Sequence, residues 1–84
     1  MRVITCYINL FDASQQIDII DGEEETTLFV TMEDVPFMII ENAKARGIAD
    51  VKISKGPYAE NIKNTLFALT AVNYSGLPLN VELV

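Results

Sequence analysis

Apolar and polar positions alternate along residues 2–11, the period of a half-buried strand. Ile4, Cys6, Ile8 and Leu10 fall on one face, and Val3, Thr5, Tyr7, Asn9 and Phe11 on the other. A polar turn, Asp12-Ala13-Ser14-Gln15, leads to a second alternating stretch at 16–20, with Ile17 and Ile19 inward. Asp21-Gly22 is a hairpin signal, because glycine tolerates the positive φ that tight β-turns require. Thr26 to Thr31 returns as a third strand, with Leu28 and Val30 inward and Phe29 outward.

The period then changes to that of a helix. Asp34 before Val35-Pro36 reads as an N-cap, since proline is tolerated in a first turn; Thr31 is the alternative cap. This helix runs through Ala45, with Lys44 and Arg46 near its negative end, Gly47 at the left-handed position and Ile48 as the hydrophobic contact beyond it. Residues 50–54 alternate as a fourth strand. Gly56-Pro57 opens a second helix with Pro57 at its first position. Ala59, Ile62, Leu66, Leu69 and Val72 form its apolar stripe, Gly76 ends it, and Pro78 prevents a restart. Residues 79–84 close the chain as a fifth strand, with Leu79, Val81 and Leu83 inward.

The expected order is βββαβαβ: one small α+β domain over residues 1–84, with a mixed five-stranded sheet. This order is similar to that of the ribonuclease H-like core, shared by the actin-like ATPase halves. The likeness is one of topology over the whole chain and rests on no motif. It implies a sheet order of 3-2-1-4-5. Two right-handed crossovers moving the same way put both helices on one face, leaving the other face bare. Val3, Thr5, Tyr7, Asn9, Phe11, Thr27, Phe29, Thr31, Lys52, Ser54, Asn80 and Glu82 would lie there, a mostly polar set in which Tyr7, Phe11 and Phe29 could form a modest apolar patch.

Composition adds the class. Of 84 residues half are apolar and 21% charged, which is the profile of a globular chain. One cysteine, Cys6, excludes an internal disulfide framework and suits a reducing, cytoplasmic compartment. Residues 1–11 lack the cleavage pattern of a secretory signal, and no apolar run approaches the roughly 18–20 residues that span a bilayer.

Charge adds a direction. The first 42 residues hold nine acids and one base, Arg2, for about −8; the remainder holds five bases and three acids, for about +2. An acidic balance argues against direct contact with a phosphate backbone and suits a protein partner with a basic surface. Solubility alone also calls for some net charge. The acids Asp12, Asp18, Asp21, Glu23, Glu24 and Glu25 mark the first candidate binding surface, around the hairpin. The aromatic and aliphatic remainder, Tyr7, Phe29, Phe37 and Ile40, marks the second, with a homodimer as one use. The first helix is apolar over more than the roughly 100° arc that packs on a sheet, so Phe37 or Ile40 is expected either to be left over for a partner or to pack against the second helix.

Chemistry is sparse. There is no histidine, which removes the commonest general base and metal ligand. Cys6 falls mid-strand on the core face, as a buried thiol does. Ribonuclease H-like nucleases converge carboxylates from the first strand, first helix and fourth strand on two metal ions. Here the first strand has Asp12 only past its end, Glu41 lies two turns into the helix, and Ile53-Ser54-Lys55 carries no acid. Nuclease activity is therefore not expected; an inactive remnant of such an enzyme is a minor reading. The acids from Asp18 to Glu25 lack the alternating ligand spacing of a calcium loop. Ser54, Lys55, Gly56 and Tyr58 form the alternative, a strand-to-helix loop of the kind that binds anions or nucleotides in open α/β sheets. Pro57 lacks a donor amide, and the full phosphate-loop pattern is missing. The expectation is a non-catalytic domain that binds another protein and needs no cofactor or metal. An accessory or inhibitory protein of a phage or mobile element would have this character.

Overall fold

The chain folds as β1 (Val3–Leu10), β2 (Gln15–Asp21), β3 (Glu24–Val30), a 3-10 turn (Met32–Asp34), α1 (Val35–Arg46), β4 (Asp50–Ile53), α2 (Ala59–Val72) and β5 (Asn80–Leu83). These elements come from a computed structural model that describes residues 3–10, 15–56, 58–72 and 79–84. The strands form one sheet in the order β3-β2-β1-β4-β5. The β1–β2 and β2–β3 pairs are antiparallel, and β1–β4 and β4–β5 are parallel. The class is α+β with the expected strand order.

Local signals set most boundaries. Asp21 pairs with Glu24 across the two-residue loop Gly22-Glu23, and Gly22 takes φ 64°, at the loop position where hairpin turns place glycine. Gly47 ends α1 at φ 65°, with its amide on the Lys44 carbonyl and the Ile48 amide on the Ala43 carbonyl. That pair of bonds is a Schellman motif, and it satisfies carbonyls the helix end would otherwise orphan. The start of α1 departs from expectation. Asp34 occupies the cap position, but its carboxylate caps no amide and accepts a 3.0 Å hydrogen bond from the Thr31 hydroxyl. The preceding 3-10 turn accounts for this, because it uses the Asp34 amide on the Thr31 carbonyl and leaves Asp34 helical.

The second helix begins at Ala59, two residues after the predicted start. Tyr58 sits at φ 69°, outside the helix, while its carbonyl accepts the Ile62 amide as a cap does. Pro57, Gly76 and Pro78 lie outside the described residues, as does Phe11.

Both helices cover one face. Ile4, Cys6, Ile17, Ile19, Val51 and Ile53 of the sheet meet Val35, Ile39, Ile40 and Ala43 of α1 and Ala59, Ile62 and Leu66 of α2 in one buried cluster. Ile48 and Leu79 join it. Of the two residues of which one is expected to be left over, Phe37 is 43% exposed, and Ile40 is fully buried and so is not part of the second candidate surface. The reason is geometric: α1 packs against both the sheet and α2, so its buried arc is wider than a single contact demands.

Candidate functional site

The register builds the bare face row by row. Tyr7, Asp18 and Thr27 stand side by side across β1, β2 and β3, and Asn9, Gln16 and Phe29 form the next row. Alternation makes this face the opposite of the buried one, so its side chains need partners among themselves or from outside.

Asp18 is the centre of this arrangement. Its carboxylate accepts from Thr27 Oγ1 at 2.8 Å, from Gln16 Nε2 at 3.0 and 3.2 Å, and from Asn9 Nδ2 at 3.5 Å. The donors are neutral, and among the described residues no lysine or arginine pairs with this carboxylate. The charge is held in place by hydrogen bonds from neutral groups. Tyr7, 48% exposed, and Phe29, 67% exposed, flank it. Burial of such rings on association is a large contributor to protein–protein affinity.

The other hairpin acids divide between the two sides. Asp21 and Glu24 belong to the helix side, where Arg46 from the last turn of α1 meets them at 3.6 and 3.3 Å and donates to Thr26 Oγ1 at 3.2 Å. Asp21 is only 11% exposed in its side chain. Glu25, opposite Ile20, lies on the bare face, and Glu23 is at the exposed tip. Asp12 lies outside the described residues. The acids thus do not form one patch: Asp18 and Glu25 face the open side, and Arg46 offsets Asp21 and Glu24. This pairing spans more than twenty residues of sequence, and no local pattern announces it.

The aromatic and aliphatic set also separates. Tyr7 and Phe29 share the bare face, Phe37 lies on the helical layer, and Ile40 is in the core.

At the other end of the sheet, β4 and β5 carry Asp50, Lys52, Asn80 and Glu82 on the bare side. Asn80 Nδ2 donates to Asp50 Oδ1 at 3.2 Å. With Val3, Val51 and Val81 these residues line a shallow concavity of about 360 Å³. None of Ser54, Lys55, Gly56 or Tyr58 lines it. In that loop the Ser54 amide donates to the Cys6 carbonyl at 2.9 Å, and the Lys55 amide to the Val84 carbonyl at 2.8 Å. These two amides extend the sheet and are not free to cradle an anion.

Burial pushes the Cys6 thiol up from 9.0 to about 12, so the thiolate that would act as a nucleophile is strongly disfavoured. Among the described residues no group of three or more His, Cys, Asp or Glu side chains is placed to hold a metal ion. Among them, too, no helix is long and apolar enough to cross a membrane. No family model matches this chain, and neither does any curated protein or solved structure.

Proposed function

We propose that this is a non-catalytic cytoplasmic domain that binds another protein through the β1–β3 part of its bare sheet face, and that the partner presents basic side chains there. The observation that carries the reading is Asp18, a carboxylate oriented by three neutral donors, with no cation paired to it among the described residues, between two exposed aromatic rings. Among its described residues the face has an acidic surplus, with Asp18, Glu25, Asp50 and Glu82 against Lys52. A lysine or arginine delivered to Asp18 gains a charge-assisted hydrogen bond without the entropy cost of ordering the acceptor. The rings beside it supply apolar area and a cation–π face. The absence of histidine and the inert Cys6 thiol fit a role without chemistry.

The test is quantitative capture from the native cell extract on immobilised wild type, Asp18→Lys and the triple reversal of Glu23, Glu24 and Glu25 to Lys. A protein retained by wild type in low salt and released by Asp18→Lys supports the reading. Equal retention by wild type and Asp18→Lys removes the bare face as the binding surface. Loss only in the triple reversal moves the contact to the hairpin tip. In parallel, a thermal-shift panel of nucleotides and phosphorylated metabolites addresses the loop. A rise abolished by Lys55→Ala would favour ligand binding at Ser54, Lys55, Gly56 and Tyr58 instead.

A further inference from the structure

The same end of the sheet carries a second unsatisfied feature, the outer edge of β3. Among the described residues this strand pairs with β2 alone. Sheet edges are normally blunted by proline, lysine, a bulge or brevity. β3 has seven residues, Glu-Glu-Thr-Thr-Leu-Phe-Val, with neither proline nor lysine, and its register with β2 runs unbroken from Asp21–Glu24 to Gln15–Val30. The opposite edge, β5, has four residues in a parallel pair.

The hairpin fixes which backbone groups are available. A two-residue loop closes on a hydrogen-bonded pair, here Asp21 and Glu24. Alternation then turns the amides and carbonyls of Glu24, Thr26, Leu28 and Val30 toward β2, and those of Glu25, Thr27 and Phe29 outward. The side chains of these three outward residues lie on the bare face, in the rows of Ile20, Asp18 and Gln16. Backbone pairing at the edge and side-chain recognition on the face therefore use the same three positions.

Charge selects the occupant. Glu23, Glu24 and Glu25 stand at one end of β3, and Glu33 and Asp34 follow its other end. A second copy of this chain would bring like charges to both ends of an antiparallel pairing, whereas a basic strand would meet acids at both. We infer that β3 is extended by a basic, extended segment of the partner, which adds a sixth strand to the sheet. This rests on the reading of the bare face above and specifies how the partner engages it. A lysine or arginine opposite Thr27 is two strands from Asp18, about 10 Å between backbones. The short Thr27 side chain leaves that path open for a long cationic side chain. Glu25 and the Phe29 ring lie on either side of it.

The probe is the peptide acetyl-Thr-Arg-Thr-Arg-Thr-Arg-Thr-amide, added to the full chain at physiological salt and followed by amide hydrogen exchange and chemical shifts. The expected result is at least tenfold slower exchange at Glu25, Thr27 and Phe29. The same peptide N-methylated at every residue keeps its charge but has both edges blocked and cannot pair, and it should give no such protection. Shifts at Tyr7 and Asp18 without slowed exchange at the three edge amides would overturn strand addition while leaving the bare-face reading intact. Edge amides already protected in the free protein, with a dimer in sedimentation, would assign the edge to a second copy and overturn the basic-segment assignment. No shift anywhere at millimolar peptide would remove both.

Discussion

The two faces of this one sheet are built on different physics. On the covered face Ile4, Ile17, Ile19 and Ile53 are fully buried, and stability comes from removing apolar area from water and filling space under two helices. On the bare face Asn9, Gln16, Asp18 and Thr27 satisfy one another through hydrogen bonds, while Tyr7 and Phe29 stand in solvent. Net hydrogen bonds exposed to water contribute little to folding. The difference teaches that residues on the bare face are close to dispensable for the fold, and that their arrangement is available for recognition.

Substitutions that cross this divide should separate the two roles. The largest expected effect is on the covered side: Ile19→Ala should destabilise by about 2–5 kcal/mol in urea titration, whereas Thr27→Ala, across the pleat on the neighbouring strand, should change stability by less than about 1 kcal/mol. Equal costs at the two positions would erase the contrast.

Alkaline pH should act on the covered face through Cys6. The native Cys6 thiol ionises near 12 and the unfolded one near 9.0. The unfolded chain therefore loses its proton first. The contribution of this group is complete below pH 9 and disappears progressively as pH rises toward 12. Three pK units correspond to about 4 kcal/mol, and a Cys6→Ala chain should lack that component of the pH dependence. The matching check is labelling at pH 8, where a thiol reagent should modify Cys6 only after unfolding.

Arg46 ties the covered layer to the hairpin. Its contacts with Asp21 and Glu24 are partly buried, and Arg46→Met should cost about 1 kcal/mol and accelerate exchange of hairpin-tip amides. The smallest effect is expected for Asp18→Asn, within about 0.5 kcal/mol of wild type in the same titration.

Most of the architecture is legible in the sequence, because period-two alternation and the signals at Gly22 and Gly47 are local. What escaped is nonlocal. Which of Phe37 and Ile40 is left over is not legible in the sequence, because the position of α2 decides how much of α1 is covered. The Asp18 network appears only once three strands are in register, since Asn9, Gln16 and Thr27 come from β1, β2 and β3. The division of the hairpin acids depends on Arg46 arriving from the far end of α1. The start of α2 was placed early because the Gly56-Pro57 signal does not reveal that Tyr58 turns left-handed first.

The most direct test of the central claim is one doubly substituted chain, Tyr7→Ala with Phe29→Ala, measured for both properties at once. Urea unfolding and the dissociation constant for the captured partner should be read on the same preparation. The account predicts stability within about 1 kcal/mol of wild type and affinity weakened at least tenfold, about 1.4 kcal/mol. Unchanged affinity in a folded double variant would contradict it.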